Sequence, residues 1–254
     1  MEEQELIIGR NPVREAIRAG RSVEAIYVSA RGEGSIREIL ALARKNGIII
    51  KEVPKTKLDE LSLPYGHQGN PGNHQGIAAR VSEVAYQTVE DMFALAESRG
   101  QAPFLIMLDG IEDPFNLGAI VRSAEVMGAH GVILPKRRSA SMTAAACKTA
   151  CGAQEYLPIA RVTNLAATIE EIKRRGVFVA CADMDGQEAA KANLKGAMML
   201  VIGAEGEGVS RLVKERSDFV VRIAVKGKID SLNASAAAAV LMYEKVRQDM
   251  AQEV

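Results

Sequence analysis

The stretch FLIMLDGIEDPFNLGAIVRSAEVMGAHGVILP, residues 104–135, decides the fold class. Phe104 to Leu108 is an apolar run of strand length with no polar face, the pattern of a strand buried on both sides of a parallel sheet. Beyond the acidic turn at Asp109, Leu117, Ile120, Val121 and Ala124 recur at helical spacing and form one apolar stripe, with Asn116 placed to cap the helix and Arg122 off the stripe. GVILP, residues 131–135, is a second short apolar strand. Strand, helix and strand in this order make a βαβ unit, and a parallel sheet covered by helices follows.

Outward from this unit the alternation continues. VFVACADM (177–184), MLVIGAEG (199–206) and FVVRIAV (219–225) read as further strands, and a last helix from about Asn233 to Gln252 opens on ASAAAAV. Upstream, Asn11 and Pro12 open a helix over Val13, Ala16 and Ile17. VEAIYVSA (23–30) and IIIKEV (48–53) are strands on either side of a helix carrying Ile36, Ile39, Leu40 and Ala43. Four glycines in residues 65–76 predict a mobile loop before a last strand, IAARVSEV. The reading is an α/β chain with a small α/β domain over 1–80, a connector with a short polar helix over 81–101, and a parallel-sheet domain over 102–254.

The composition narrows the function. Among 254 residues, 48% are hydrophobic and 25% charged, the usage of a folded globular chain, so disorder and coiled coil are excluded. Thirty-two basic side chains balance thirty-two acidic ones, so a nucleic acid would have to be held by local patches. The absence of Trp, with five Tyr and five Phe, argues against a platform that stacks single-stranded bases on several rings. Three cysteines make no disulfide framework and fit a reducing cytoplasm. The acidic start MEEQE is unlike a signal peptide, and the longest apolar runs, 197–202 and 236–243, are too short to cross a membrane.

Three segments could carry chemistry, each at the carboxyl end of an expected strand, where open α/β sheets bind ligands. The first runs from Asp109 through Asn116 and Arg122. The second is VIGAEGEGVS (201–210), whose spacing at Gly203, Gly206 and Gly208 is not a dinucleotide fingerprint. A carboxylate, Glu205, among those glycines suits a ligand offering hydrogen-bond donors or positive charge. The third, 223–244, puts Ser231 and Asn233 at a loop-to-helix junction where one of them would be the cap. Singly, each is consistent with ordinary caps and turns. No His, Cys and carboxylate cluster with ligand spacing lies there, so no metal is expected.

Taken in order, strand-NLGAIVRSAE, strand-GAEGEG and strand-loop-SLNAS resemble the three motifs of the SpoU family, also called TrmH, of RNA ribose 2′-O-methyltransferases. The resemblance covers essentially the whole chain. It implies a catalytic SPOUT domain over 102–254 whose C-terminal segment is threaded into a deep trefoil knot, a rare exception to chain topology. It also implies a small substrate domain at the N-terminus like that of the ribosomal-RNA members. Residue by residue, the resemblance gives catalytic roles to Asn116, Arg122, Glu205, Ser231 and Asn233. It gives S-adenosylmethionine binding to Gly203, Ile223 and Leu232. Where members commonly read IPM, this chain reads Ile223-Ala224-Val225.

The reaction implied is attack of a ribose 2′-oxygen on the sulfonium methyl of S-adenosylmethionine. No His stands in the three motifs: His67 and His74 belong to the glycine-rich loop, and His130 stands at a strand start. Arg122 keeps its proton near neutral pH, so it fits a phosphate clamp or a stabiliser of developing alkoxide charge better than a base. Lys136-Arg137-Arg138 and Lys226 with Lys228 follow strands beside the site and are phosphate candidates, whereas Lys173-Arg174-Arg175 ends a helix. With 12 basic and 10 acidic side chains, residues 1–80 would recognise folded RNA by shape. The expectation is a cytoplasmic homodimer methylating structured RNA, 23S ribosomal RNA at a guanosine. The rivals are a transfer-RNA methyltransferase and a non-catalytic RNA-binding or ribosome-assembly factor; retention of all five motif polar residues speaks against the last.

Overall fold

Alternating burial along a short N-terminal strand builds the first sheet. In the computed structural model, which describes residues 4–29, 34–66, 68–229 and 231–251, β1 (Gln4–Ile8) sends Ile7 into one core and Ile8 into another. The sequence reading does not contain this strand. It pairs antiparallel with β4 (Ile77–Ser82), which also pairs with β2 (Val23–Ser29), and β2 runs parallel to β3 (Ile49–Val53). Ile7, Ile26 and Ala79 face α1 (Arg10–Arg18) and α2 (Ser35–Lys45) through Val13, Ala16, Ile17 and Ile39. On the opposite face, Ile8 and Ala78 meet Leu58 of α3 (Lys55–Ser62).

Two local expectations are corrected here. The first helix begins after Gly9, whose φ of +101° suits glycine, and Asn11 lies in its first turn, its side chain accepting from Arg14 Nη2 at 3.0 Å. The glycine-rich loop doubles back on itself: a Cβ on Gly66 would stand 1.6 Å from the carbonyl oxygen of Asn70, and one on Gly72 2.7 Å from that of Tyr65. Its glycines permit close packing, and His74 is buried in it against Asp59 at 3.0 Å. His67 lies outside the described residues.

The chain divides into two units after Ala85, and Met142–Tyr156 belong with the first although they follow from the second. That segment carries α6 (Ala144–Ala150) and a turn ending in Glu155, which meets Arg21 at 2.9 Å while Arg21 also meets Glu5 at 3.0 Å, all three residues partly buried. The 81–101 segment is ordered at both ends. Val81 and Ser82 close β4, and α4 (Val89–Ser98), fixed by a Thr88–Asp91 capping box, buries Met92 completely in the core of the second unit.

The second unit is a six-stranded sheet in which every pair is parallel. Its order is β10 (Phe219–Arg222), β8 (Phe178–Glu188), β9 (Met198–Gly203), β5 (Phe104–Asp109), β6 (Gly131–Pro135) and β7 (Ile159–Val162). β5 is buried on both faces, as its apolar run requires, with Leu105 and Met107 packed beside Ile169 of α7 (Leu165–Arg174). α5 (Pro114–Val126) packs on α9 (Ala234–Met250), and α9 on β9. From β5 the chain turns outward to β6; from β9 it passes through α8 (Arg211–Arg216) to β10 on the far side. The boundary between β5 and β9 is thus a topological switch point, and a crevice opens beyond their carboxyl ends. Among the described residues no helix is long and apolar enough to cross a membrane.

His130 anchors the start of β6. It is 2% exposed; its Nδ1 accepts the Phe104 N–H at 3.0 Å and its Nε2 faces Gln101 Oε1 at 3.0 Å. Burial lowers its pKa to about 4. The folded protein favours the neutral ring over the protonated one, so this contribution is complete above the ordinary value of about 6.5 and is lost as pH falls from there towards 4. About 3 kcal/mol is at stake. Urea midpoints between pH 7 and 4 should fall more steeply for the wild type than for His130→Gln; equal slopes would refute this assignment.

Candidate active site

Three loops from different strand ends meet at one carboxylate. The loop after β5 ends at Asp113, whose Oδ1 accepts from Phe115 N at 3.1 Å and Oδ2 from Asn116 N at 3.2 Å, with Pro114 in the first turn. The cap of α5 is therefore Asp113, not Asn116. Asp-Pro at a helix start is a sequence signal for this arrangement. With the cap supplied by Asp113, the Asn116 side chain is available to the site: its Nδ2 donates to Glu205 Oε1 at 2.9 Å, and its Oδ1 accepts from Asn233 Nδ2 at 2.9 Å.

Asn233 is the N-cap of α9. Its Oδ1 accepts from Ser235 N at 3.0 Å, Ala236 N at 3.3 Å and Ser235 Oγ at 2.6 Å, which orients its amide so that Nδ2 also donates to Glu205 Oε1 at 2.6 Å. Ala234 N reaches the same oxygen at 3.3 Å. Glu205 Oε1 thus receives three donors, and its Oε2 accepts no bond among the described residues. The hub holds the carboxylate in one orientation while one oxygen stays available to a donor.

The glycines around Glu205 build the turn that presents it. Ala204 and Gly208 exchange backbone hydrogen bonds at 3.1 and 2.9 Å, and Gly206 and Gly208 have φ of +83° and +68°. A Cβ on Gly203 would lie 2.1 Å from the Gly208 carbonyl carbon, so no side chain fits at the end of β9. Asp109 braces the following segment, its Oδ2 accepting from Ser210 N at 2.8 Å. The turn thus rests on glycine at each of these places for a different physical reason.

An open cleft of about 590 Å³ lies over these loops, and its lining includes Glu112, Asp113, Glu205 and Glu207 together with Arg137 and Arg138. Arg138 takes φ +54°, a left-handed conformation that costs a non-glycine residue roughly 1 kcal/mol or more. Arg122 is exposed on α5, six residues beyond Asn116 and so about 9 Å along the axis. Ser231 and Leu232 are exposed immediately before the α9 cap, Ile223 follows β10, and these residues with Gly203 lie outside the cleft lining. The structure therefore joins Asn116, Glu205 and Asn233 directly, while Arg122, Ser231, Leu232, Ile223 and Gly203 lie outside the lining of the cleft.

Of the basic clusters, 173–175 is committed to structure: Lys173 meets Asp218 at 2.7 Å, Arg174 Nε donates to the Glu170 carbonyl at 3.3 Å, and Arg175 lies 3.9 Å over the Phe93 ring. Among the described residues no group of three His, Cys, Asp or Glu side chains is arranged to hold a metal ion.

Comparison with known proteins agrees along nearly the whole chain. The SpoU rRNA Methylase family matches residues 103–243, and the family described as RNA 2′-O ribose methyltransferase substrate binding matches residues 6–87. A Bacillus subtilis relative, named for the TrmH family of tRNA/rRNA methyltransferases (YacO), is 41% identical over 250 residues, covering 97% of each chain. A Mycobacterium relative, named as a tRNA/rRNA methyltransferase, is 43% identical over 97% of this chain and 77% of its own. In fold, the SpoU methyltransferase AviRb of Streptomyces viridochromogenes, solved in complex with AdoMet, aligns with a TM-score of 0.78 at 23% identity, covering 98% of this chain and 91% of that one. With the family match running over residues 103–243, more than half of the chain, and the hub of Asn116, Glu205 and Asn233 set in its three motif segments, this chain belongs to the SpoU rRNA methylase family.

Proposed function

We propose that the protein transfers a methyl group from S-adenosylmethionine to a ribose 2′-hydroxyl of structured RNA, with a guanosine of 23S ribosomal RNA as the substrate. The observation that carries this reading is Glu205, oriented through Oε1 by Asn116 and Asn233 and open at Oε2 towards a cleft. A hydroxyl that becomes a nucleophile must lose a proton, and among the carboxylates of the cleft we assign that role to Glu205 Oε2, because the hub orients it. Arg122 cannot take that proton, because guanidinium stays charged; it clamps phosphate or stabilises the developing negative charge on the oxygen.

The chain fits the cofactor that the reading requires. Val225, Ile229 and Leu232 are exposed apolar side chains on a segment without helix or strand, a surface suited to an adenosyl group. Gly203, Ile223 and Leu232 would hold the cofactor mainly through backbone, with Ser231 beside them. Bound there, S-adenosylmethionine supplies a methyl group on a sulfonium. Alignment of the hydroxyl with that methyl is the main contribution of the site, and positioning of this kind recovers about 7–11 kcal/mol of barrier.

The first unit serves RNA recognition in this reading, supported by the substrate-binding match over residues 6–87. The appended domain favours ribosomal over transfer RNA. A homodimer is supported by two exposed stripes: Phe115 and Val126 flank Arg122 on α5, and Val240, Tyr243 and Met250 recur on one side of α9. The protein works in the cytoplasm, with reduced cysteines. Two measurements test the reading. Calorimetry should show S-adenosylmethionine binding unchanged by a chelator, and ribose-methylation maps of ribosomal and transfer RNA should lose one 23S guanosine position when the gene is deleted. Binding abolished by chelation, or unchanged maps, would overturn it.

A further inference from the structure

The cleft beside Glu205 keeps opposite charges apart. Arg137 and Arg138 are exposed in its lining, and neither forms an ion pair or side-chain hydrogen bond among the described residues, although Glu112, Asp113, Glu205 and Glu207 line the same cleft. Elsewhere in the second unit, several exposed arginines pair with carboxylates, among them Arg211 with Glu215, Arg216 with Glu170, Arg222 with Glu188 and Arg247 with Glu244. Arg138 is also held at φ +54°, which directs the chain out of β6 at this point. Two guanidinium groups left without a carboxylate partner in a cleft that also holds carboxylates offer a polyanion a local place to bind, and the carboxylates disfavour its binding elsewhere in the cleft.

We propose that Arg137 and Arg138 grip the RNA phosphodiester next to the methylated nucleotide, placing the backbone against the end of β6 and turning the ribose edge towards Glu205. The proposal rests on the methyltransfer reading and adds residues separate from Arg122. Guanidinium matches phosphate with two parallel hydrogen bonds, and the carboxylates in the same lining repel a phosphate placed against them. The role is positional, so RNA binding and KM should respond before the chemical step.

The probe is ribosomal RNA from a strain lacking the gene, with labelled S-adenosylmethionine. Arg137→Ala with Arg138→Ala should raise KM for RNA at least tenfold, change kcat at saturating RNA less than threefold, and leave S-adenosylmethionine affinity unchanged. The slope of log affinity against log salt should become shallower by about 0.7 for each single-strand phosphate that the protein no longer neutralises. Lysine at both positions should restore the salt slope but only part of the KM. Arg174→Ala, which removes one arginine charge outside the cleft, should change neither. A double variant with wild-type KM and salt slope, or one matched by Arg174→Ala, would overturn the proposal. If the wild type itself transfers no methyl group to this RNA or to transfer RNA, the methyltransfer reading falls and the grip falls with it.

Discussion

Glu205→Gln lowers methyl transfer a hundredfold or more without unfolding the protein. Glutamine keeps an oxygen where Oε1 accepts from Asn116, Asn233 and Ala234, so the hub can form. It replaces Oε2 with an NH2 group, and a hydroxyl then faces a donor where it needs an acceptor. Loss of a positioned proton acceptor costs roughly 10²- to 10⁴-fold. S-adenosylmethionine affinity should stay within a few-fold of wild type, and the thermal midpoint should move little because the residue is exposed. Glu205→Ala should be as inactive and somewhat less stable, having removed the acceptor of three donors. Turnover at saturating RNA and cofactor is the readout. Wild-type turnover in the glutamine variant would reduce Glu205 to a structural hub.

Arg122→Ala should fold, bind cofactor and lose methyl transfer by orders of magnitude. The side chain is exposed while its helix buries Leu117, Ile120, Val121 and Ala124, so the core does not depend on it. Arg122→Lys should restore little, since an ammonium does not reproduce the planar two-pronged contact. Arg122 lies between Phe115 and Val126 on one exposed stripe, the stripe offered above as part of a dimer face, so a shared site can be tested through it. Mixing Arg122→Ala with Ser231→Ala protomers should then recover part of the activity, because one site in each mixed dimer carries both residues. No recovery, with subunit exchange confirmed, would assign Arg122 to its own chain; near-normal activity of Arg122→Ala would remove its catalytic role.

The fold class was legible because β5 carries its burial in its composition: an unbroken apolar run has only one stable place in an α/β sheet. β1 and β7 were not, because Gln4–Ile8 and Ile159–Val162 are too short for a period to show. The assignment of Met142–Tyr156 to the first unit was also invisible, since it depends on Arg21 meeting Glu155 across 134 residues. In the site, Glu205 stood out as a carboxylate among glycines. Its partners could not be read from spacing, because Asn116 and Asn233 lie 89 and 28 residues away and meet it only once the strand ends are gathered. The misplaced cap has a simpler cause: Asn and Asp both cap helices well, and the decisive signal was the proline after Asp113.

The most direct test is the identity of the methylated product. Purified protein, labelled S-adenosylmethionine and ribosomal RNA from a strain lacking the gene would be incubated, and the RNA digested to nucleosides. The account predicts label in 2′-O-methylguanosine, absent when Glu205→Gln replaces the wild type. Label in a base-methylated nucleoside, or no transfer to either ribosomal or transfer RNA, would contradict it.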